Sequence, residues 1–515
     1  MPNVEFPERF RMSDYFLYHN VEEGRENKVC LYYRDETYTY ADAVRLSNRA
    51  GGALRGAGLG VEDRVLIALP DCPEFVWTWF GANRAGGVIT MVNPLLPSED
   101  YRYYLDYTRA RVAVVHESLL ENFARAAESS PYLRGVLVVG KEAGNFHSFA
   151  EAVAAQPDEL TPADTHRDDV AIWLFTSGST GHPKGAVHLQ HDLPYNTECY
   201  AKGVLGVNEG DLTVSVPKLF FGYATGTNLL FPFAAGGAAA LFPERSTPER
   251  LFEVIARYRP TILTSVPTMI NAMLNVEAAA QTDISSLRMC LSAGEALPEE
   301  LYRRWVERFG VEIYDGIGSA EMFHIYITNR PGDVKPGSLG RVVEGYEAQV
   351  VGADGRALPA GEMGTLRVRG DSAALCYWQA HEKSKQTFAG DWCTTGDQFH
   401  ADAEGYYWYH GRTDDMLKVS GVFVAPAEIE NCLLQHEAVL EAAVVGYDDG
   451  SGLIKPKAFL VLREGHAPSE ELARSVKEFV KSRLALYKYP RRVEFVGSLP
   501  KNDRGKIDRK QLKGK

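Results

Sequence analysis

Short apolar runs alternate with amphipathic stretches along the first 165 residues. Residues 64–69 and 86–92 have the composition of buried strands. Between them, residues 74–85 have helical spacing and are rich in aromatic side chains, which we interpret as core. Another helix begins near Tyr38, and its apolar face comprises Ala43, Leu46, Ala50 and Leu54. This alternation predicts an α/β fold with a mostly parallel sheet covered on both faces.

The pattern changes in the second half of the chain. Glycine-rich turns separate short alternating strands over residues 336–397, which predicts a small β-barrel subdomain. The C-terminal part has the pattern of a small α+β unit. Pro426 stands where a first-turn proline begins a helix, apolar strands follow at 442–447 and 457–462, and Ser469 fits the N-cap of another helix.

Length and composition bound the class of protein. A chain of 515 residues is too long for one core and predicts at least two domains. Apolar residues make up 45% and charged residues 24%, which is typical of a soluble globular protein. The longest apolar run, 228–242, is interrupted by Pro232 and is too short to cross a bilayer. The N-terminus lacks the pattern of a signal peptide, so we expect a cytoplasmic protein with no membrane partner.

Cysteine content and charge argue against further classes. The seven cysteines contain no Cys-x-x-Cys pair, which favours reduced thiols over disulfides or a zinc site. The net charge of −13 argues against nucleic acid as a partner. Residues 481–515 are nevertheless basic, with twelve Lys and Arg against three Asp and Glu. Such a tail is either a solvated surface or a surface that meets a small polyanion between two domains.

The strongest chemical signal is the segment 176–185, Thr-Ser-Gly-Ser-Thr-Gly-His-Pro-Lys-Gly, which directly follows the apolar run 170–175. Its glycines let backbone N–H groups approach a ligand closely, and Lys184 adds a mobile positive charge, as in a loop that cradles phosphate. A Walker A loop needs Ser or Thr directly after the lysine, whereas Gly185 stands there. A flexible linker is the other interpretation, but it gives no reason for the Pro-Lys-Gly ending.

This segment resembles the signature loop of the adenylate-forming superfamily, which includes acyl- and aryl-CoA ligases, adenylation domains and luciferases. Further motifs resemble those of the family over nearly the whole chain, and the closest form is the benzoate-CoA ligase group. The resemblance implies a large N-terminal domain, residues 1–413, built from two sheet–helix subdomains and the small β-barrel. Residues 414–515 would form a mobile α+β C-terminal domain.

The resemblance also implies a nucleotide site. The residues expected to bind ATP or AMP are Thr176, Ser177, Gly178, Ser179, Thr180, Gly181, Lys184, Ala293, Gly294, Glu295, Asp315, Gly316, Ser319, Asp397 and Arg412. Asp397 and Arg412 match the ribose contacts of the family, and Glu321 matches the carboxylate that holds Mg²⁺, a cation that prefers oxygen ligands.

Ala320 departs from the family pattern, in which a threonine at this position contacts the α-phosphate. The loss of one charge-assisted hydrogen bond costs about 1.5–3 kcal/mol, which slows the chemistry without abolishing it. Ser319 or a water molecule is the expected substitute.

An aryl-acid pocket is implied by five positions: Phe221, Gly222, Tyr223, Ile317 and His324. From the residues alone, aromatics beside glycine form either packed core or the wall of a flat pocket, and a lone histidine is more often structural. The family position favours the pocket, with Tyr223 beside the ring and space next to Gly222.

The catalytic residues implied by the resemblance are Lys184, Glu321, Lys418 and Lys506, the last in the family's Pro-Lys-x-x-x-Gly-Lys ending. Asp414 matches the hinge between the domains. Ser420 and Gly421 match the channel for coenzyme A.

Together these features predict an AMP-forming aryl-acid:CoA ligase that uses ATP, coenzyme A and Mg²⁺. Its substrate would be benzoate or a small ring-substituted benzoate, such as 2-aminobenzoate or a hydroxybenzoate. A stand-alone enzyme that loads a carrier-protein phosphopantetheine, and a non-catalytic nucleotide-binding module, are the alternatives. The aromatic pocket disfavours a fatty-acid ligase. Acetylation of Lys506 by a lysine acetyltransferase is a separate hypothesis, because neutralising that charge would block the first step. The oligomeric state is left open, with a homodimer as one option.

Overall fold

Strands and helices alternate along the chain, as the sequence pattern predicts. The computed structural model describes residues 4–176, 182–413, 416–419, 422–448, 454–501 and 507–513, with the backbone alone at residues 418, 422 and 423. The strands are β1 Val29–Tyr33, β2 Glu36–Thr39, β3 Arg64–Ala68, β4 Val88–Met91, β5 Val112–His116, β6 Gly135–Val139, β7 His147–Ser148, β8 Val170–Thr176, β9 Lys184–Leu189, β10 Leu212–Ser215, β11 Ala238–Leu241, β12 Ile262–Ser265, β13 Met289–Ala293, β14 Ile313–Gly318, β15 Ile325–Thr328, β16 Arg341–Val342, β17 Glu347–Val351, β18 Gly364–Arg369, β19 Cys376–Tyr377, β20 Phe388–Ala389, β21 Trp392–Ala401, β22 Tyr407–Arg412, β23 Leu417–Val419, β24 Val422–Val424, β25 Val439–Asp448, β26 Ile454–Leu462 and β27 Arg492–Phe495.

The α-helices lie between these strands and cover the sheets. They are α1 His19–Glu22, α2 Tyr40–Gly56, α3 Pro73–Arg84, α4 Ser98–Thr108, α5 Leu120–Ser129, α6 Phe149–Ala154, α7 Asp192–Asn196, α8 Gly222–Thr225, α9 Phe231–Ala234, α10 Pro248–Tyr258, α11 Pro267–Leu274, α12 Ala278–Gln281, α13 Glu299–Phe309, α14 His381–Thr387, α15 Pro426–Leu434, α16 Glu470–Lys481 and α17 Arg509–Leu512. Five short 3-10 or π turns add to them: Asp14–Tyr18, Glu117–Leu119, Thr197–Lys202, Gly226–Leu230 and Ala320–Met322.

The first large sheet has eight strands in the order β19-β9-β8-β4-β3-β5-β6-β7. Neighbouring strands among β8, β4, β3, β5, β6 and β7 are parallel. At one edge, β9 pairs antiparallel with both β8 and β19. The helix α2 begins at a capping box, in which the Thr39 hydroxyl accepts from the Asp42 N–H and the Asp42 carboxylate accepts from the Thr39 N–H. The aromatic stripe of α3 is buried, with Trp79 and Phe80 fully inaccessible, which confirms its interpretation as core.

The second large sheet has nine strands in the order β16-β15-β14-β13-β12-β10-β11-β1-β2. The strands β12, β13 and β14 run parallel, so their carboxyl ends meet at one edge. Apolar side chains from both large sheets join one continuous core that includes Phe16, Trp79, Phe233 and Tyr326. The alternating pattern of the sequence therefore folds into two helix-covered sheets that share a core, as expected.

Residues 347–412 form an antiparallel sheet in which β17, β18 and β21 are neighbours, and both β20 and β22 pair with β21. The predicted antiparallel subdomain is thus present. Among the described residues its hydrogen-bonded pairs form an open sheet rather than a closed barrel. The reason is that its apolar face, with Leu366, Val368 and Phe399, is already covered by the shared core and need not close on itself.

The C-terminal part has cores of its own. The hairpin β23–β24 and the three-stranded sheet β25-β26-β27 pack with α15 and α16 around Ile429, Leu433, Val444, Leu460 and Val476. Pro426 is the first residue of α15, and the Ser469 hydroxyl caps α16 by accepting from the Leu472 N–H, as the sequence predicts. Within the described part of the chain, no helix combines the length and apolarity needed to cross a bilayer. All seven cysteines are free thiols.

Candidate active site

A cleft of about 460 Å³ opens between the carboxyl ends of β13 and β14 and the C-terminal part of the chain. On the N-terminal side its lining includes Gly294, Glu295, Gly316 and Ile317 from the second large sheet and its loops, and Asp397 and Arg412 from the antiparallel sheet. On the C-terminal side it includes Glu430, Glu441, Arg463, Lys501, Ile507 and Arg509. The structure therefore brings together predicted nucleotide residues that are more than a hundred positions apart in the sequence.

Two parallel strands build one side of this cleft. Ala293 of β13 pairs with Gly316 of β14, so the two predicted segments lie side by side. A side chain at Gly316 would bring its Cβ within 2.8 Å of the Ile327 carbonyl oxygen, which explains the glycine. The Glu295 carboxylate is held by the Thr268 N–H at 3.1 Å and by the Thr268 hydroxyl at 2.7 Å.

Asp315 lies beside this pair of strands and is almost completely buried. Burial raises the pKa of Asp315 to about 8. Its Oδ1 atom has no hydrogen-bond partner among the described residues. A buried carboxyl oxygen without a partner is suited to a ligand that donates a hydrogen bond.

The two predicted ribose residues face each other on a β-hairpin. Asp397 of β21 pairs with Arg412 of β22, and the Arg412 Nε lies 3.3 Å from Asp397 Oδ1. The Asp397 side chain is 10% exposed and the Arg412 side chain 55% exposed. The carboxylate is thus fixed at the base of the cleft while the guanidinium reaches into it.

Glu321 lies in the short turn Ala320–Met322 that follows β14. Its Oε1 accepts a 2.6 Å hydrogen bond from the Tyr377 hydroxyl. The preceding carbonyl, of Ala320, accepts a 2.6 Å bond from His188 Nε2, and His188 Nδ1 lies 2.8 Å from Asp192 Oδ2. Tyr377, His188 and Asp192 are all buried, so the turn is fixed on either side of the Glu321 carboxylate.

A Mg²⁺ ion fits this carboxylate in one respect. Mg²⁺ is commonly held by one or two carboxylates together with water and substrate phosphates. Glu321 has a second oxygen that does not share the Tyr377 bond, which suits that arrangement. Across the described ranges, no group of three or more His, Cys, Asp or Glu side chains is placed to hold a metal by itself. The donor set thus suits a cation that arrives with a phosphate ligand.

The predicted aryl pocket centres on His324, which is fully buried among the rings of Tyr200, Tyr223, Phe231 and Phe323. Its Nε2 donates to the Tyr223 carbonyl oxygen at 3.0 Å, since a carbonyl only accepts. Burial lowers the pKa of His324 to about 3, so the ring is neutral and Nδ1 carries a lone pair. Among the described residues, neither that Nδ1 nor the buried Tyr223 hydroxyl has a hydrogen-bond partner.

Glycines make room around this histidine. A Cβ at Gly226 would lie 2.6 Å from His324 Cδ2, so only glycine admits the ring there. At Gly222 the nearest atom to a Cβ is Leu174 Cδ1 at 3.3 Å, a tight contact with a flexible side chain. Phe221 precedes α8, and Ile317 lies half-buried on β14 at the cleft.

Several predicted residues lie outside the described ranges: Ser177, Gly178, Ser179, Thr180, Gly181, Asp414, Ser420, Gly421 and Lys506. Of Lys418 only the backbone is described, in β23. Lys184 begins β9 opposite Thr176 of β8. Lys501 and Ile507, which flank the segment containing Lys506, form a β-bridge and line the cleft.

Some contacts were missed by the sequence reasoning. Tyr377 on Glu321, the His188–Asp192 pair behind Ala320, and Gly226 beneath His324 were not predicted. His188 lies only a few residues after the predicted phosphate loop, in the strand that follows it. This closeness in sequence was the one signal that could have pointed to its role. Tyr377 and Gly226 meet their partners only through the tertiary fold, because 56 and 98 positions separate them in the sequence.

Comparison with known proteins matches this architecture. Residues 17–378 match the model of the AMP-binding enzyme family, and residues 428–506 match its C-terminal domain. The chain is 45% identical over 514 residues to benzoate–CoA ligase of Thauera aromatica, covering 99% of this chain and 97% of the relative. It is similar to the anthranilate CoA ligase AuaEII solved with anthranoyl-AMP, with TM-score 0.95, 42% identity, and coverage of 98% and 97%. A benzoate CoA ligase from Burkholderia xenovorans LB400 superimposes with TM-score 0.91 and 41% identity, covering 98% and 100%.

Proposed function

From the premise that this chain belongs to the AMP-binding enzyme family, we propose that it is an AMP-forming aryl-acid:CoA ligase. The observation that carries the proposal is the cleft in which Gly294, Gly316, Asp397 and Arg412 meet the two residues that flank the Lys506 segment. Its similarity over nearly full length to a benzoate–CoA ligase supports the same reaction class.

The first half-reaction activates the acid. A carboxylate resists nucleophiles because it carries negative charge and has no usable leaving group. Its oxygen attacks the α-phosphorus of ATP, the bond to pyrophosphate breaks, and pyrophosphate leaves with the electron pair, giving an acyl-adenylate. Such a transfer needs positioning and charge neutralisation more than covalent help.

The residues of the chain divide this work. Lys184 and the loop 177–181 would bind the phosphates, and Asp397 with Arg412 would hold the ribose. Glu321 would hold Mg²⁺, which when bound supplies positive charge to the phosphate oxygens. Lys506 would bind the acid carboxylate and neutralise the charge that develops in transfer. The buried oxygen of Asp315 would face the adenine edge.

The second half-reaction makes the thioester. The thiolate of coenzyme A attacks the acyl carbon, the carbon–oxygen bond to AMP breaks, and AMP leaves with the electron pair. We propose that residues 414–515 turn as a unit about Asp414 between the two steps, replacing Lys506 by the segment with Lys418, Ser420 and Gly421. Acetylation of Lys506, a homodimer and a cytoplasmic location stay predictions from the sequence.

The polar atoms at the aryl end of the site favour a ring-substituted benzoate as the substrate. His324 Nδ1 is a buried acceptor and Tyr223 Oη a buried donor, both without a partner among the described residues. Leaving such atoms unmatched costs about 1–3 kcal/mol each, so a substrate that pairs with them gains over one that does not. An amino or hydroxyl group on the ring donates to the imidazole, and benzoate itself cannot.

A substrate panel tests the proposal. Purified enzyme is given ATP, Mg²⁺ and free coenzyme A with benzoate or with 2-amino-, 2-hydroxy-, 3-hydroxy- or 4-hydroxybenzoate, and thioester is measured by mass spectrometry. We expect aryl-CoA and AMP, with a higher kcat/KM for a substituted acid than for benzoate. Acyl-adenylate without aryl-CoA would instead indicate a carrier-protein thiol as acceptor. Absence of ATP–pyrophosphate exchange with every acid would refute the function.

A further inference from the structure

The short strand β19 and the residue after it connect the two charged parts of the proposed phosphate site. The Tyr377 hydroxyl donates to Glu321 Oε1 at 2.6 Å. The next residue, Trp378, donates its backbone N–H to the Gly185 carbonyl at 2.9 Å, directly beside Lys184. Adjacent residues therefore hold the proposed metal carboxylate and the strand that carries the phosphate-binding lysine.

Helix α4 contacts the same start of β9, and also the residue after β19. Tyr103 and Tyr107 are four residues apart and share one face of the helix, with ring centroids 5.2 Å apart and planes 15° from parallel. The Tyr103 hydroxyl donates to the Pro183 carbonyl at 2.7 Å. The Tyr107 hydroxyl accepts from the Gly185 N–H at 3.2 Å and donates to the Trp378 carbonyl at 2.6 Å.

These bonds fix the backbone on both sides of Lys184. The Pro183 carbonyl, the Gly185 N–H and the Gly185 carbonyl each have a partner outside β9. The β19 pairing adds a register of Tyr377 opposite Ala186. A segment held by this many hydrogen bonds has few conformations available. The backbone of Lys184, from which its side chain extends, is therefore fixed in position.

The bond to Glu321 has a defined polarity. A carboxylate oxygen only accepts, so the Tyr377 hydroxyl is the donor in this bond. A donor on Oε1 fixes the carboxylate plane and directs the remaining oxygen of Glu321 to any cation it holds. Tyr377 is itself 7% exposed, so water does not readily replace it.

We propose that Tyr377 and Tyr107 are positioning residues that hold Glu321 and the Lys184 strand in a fixed mutual arrangement for the triphosphate of ATP. Tyr377 acts on the carboxylate, Tyr107 acts on the strand, and Trp378 joins them through its own backbone. The inference rests on the proposed function, because it takes Glu321 and Lys184 as groups that act on one nucleotide.

Binding measurements on Phe variants test it without turnover. ATP affinity is measured by calorimetry in the absence of acid, once with Mg²⁺ and once with EDTA, and thermal unfolding is recorded for each variant. For Tyr377→Phe we expect about a tenfold loss of affinity with Mg²⁺ and little change in EDTA, since a hydrogen bond to a charged group is worth about that factor. For Tyr107→Phe we expect a similar loss under both conditions.

Helix α4 offers a matched control. The buried Tyr101 hydroxyl also donates to a carbonyl, that of Pro94 at 2.8 Å, away from Lys184. Tyr101→Phe removes the same kind of bond from the same helix and is expected to leave both affinities unchanged. An equal loss in this variant would show that the effects are merely structural and would overturn the proposal.

The double variant Tyr107→Phe/Tyr377→Phe tests the connection itself. Two groups that act through one connected segment should be non-additive, so the combined loss with Mg²⁺ is expected to be smaller than the product of the single losses. Independent, multiplying losses would overturn the shared arrangement, as would single variants that bind ATP like the wild type. Failure of the wild-type enzyme to bind ATP at all would instead refute the proposed function.

Discussion

The proposed phosphate end and the proposed aryl end of the site are built on opposite principles. At the phosphate end Glu321 is held by Tyr377, and at the adjoining ribose position Asp397 is held by Arg412, so the charged groups are already engaged before any ligand binds. At the aryl end, His324 Nδ1 and Tyr223 Oη are buried and, among the described residues, lack partners. At the first end the protein supplies the partners of the charged groups, and at the second end the polar atoms are left for a substrate to pair with.

From this difference we expect the phosphate end to determine the rate of adenylate formation and the aryl end to determine which acid is preferred. Pre-positioned charges lower the barrier to phosphoryl transfer for any acid, because they need no reorganisation when charge develops. Unmatched buried polar atoms penalise every substrate that cannot pair with them, and so they discriminate between substrates. Changes at the phosphate end should thus alter kcat for all acids alike, and changes at the aryl end should alter their ranking.

The largest expected effect is at Lys506. Lys506→Ala removes the charge that would neutralise the carboxylate, so adenylate formation should fall at least about a hundredfold, in the range of other lost transition-state donors. Thioester formation from supplied acyl-adenylate should survive. Separate assays of ATP–pyrophosphate exchange and of the second step measure the two. Equal losses in both steps would contradict the assignment.

The next effect is at Glu321. Glu321→Gln keeps an acceptor for Tyr377 and removes the negative charge, so it isolates the role of charge. We expect ATP–pyrophosphate exchange to fall by about 10- to 100-fold and to do so equally for benzoate and for substituted acids. A change in the ranking of acids would break the separation between the two ends. The exposed Glu362→Gln variant serves as the control.

A smaller and selective effect is expected at Gly226. In Gly226→Ala the added methyl carbon would lie 2.6 Å from His324 Cδ2, so the ring must shift and its bond to the Tyr223 carbonyl weakens. The KM for the aryl acid should rise about tenfold, and the KM for ATP should stay within twofold. Gly56→Ala, at an exposed helical glycine with nothing within 4 Å, is the matched control. A raised KM for ATP would show that the ends are coupled.

An effect of a different kind, on stability and not on turnover, is expected through Asp315. Its pKa in the folded apo protein is raised to about 8, against an ordinary value of 3.8. Between these values the folded state keeps the proton and the unfolded state releases it. The stability from the neutral carboxyl is therefore complete below about pH 4 and is lost as the pH rises through 8.

Asp315→Asn cannot ionise and should escape this loss. Relative to the wild type, its melting temperature should rise progressively from pH 5 to pH 8, corresponding to at most about 1.4 kcal/mol per pH unit. Thermal unfolding of the apo proteins across that range measures it. Melting curves that stay parallel over the range would contradict the raised pKa, and the exposed Asp354→Asn should show such parallel behaviour.

The sequence predicted the elements better than their closure. Strands such as β3, β4 and β8 were readable because buried parallel strands are continuous apolar runs, and α16 because Ser469 and the apolar spacing act locally. The antiparallel subdomain was predicted, but the sequence does not reveal which neighbouring face covers an apolar strand. Burial against the shared core left the sheet open.

The site divides in the same way. Asp397 and Arg412 were found through their motifs, and the structure places them opposite each other. The residues behind them could not be found, because a hydroxyl such as that of Tyr377 gains its role only from a carboxylate 56 positions earlier. Motifs identify groups that touch a ligand, whereas their supports are set by the fold and tolerate any sequence that supplies the contact.

The hairpin that pairs Asp397 with Arg412 also has a thermodynamic consequence. Arg412 is the last residue of β22, where the chain leaves the antiparallel sheet of residues 347–412 for the C-terminal part, and it also contacts the Asp397 carboxylate. A nucleotide that binds Asp397 and Arg412, and the proposed rotation of the C-terminal part, would both act on the contact between these two residues. By reciprocity, whatever factor nucleotide occupancy applies to the balance of orientations, orientation must return to nucleotide affinity. On the proposed mechanism, release of AMP and rotation of the C-terminal part would be coupled by one free energy.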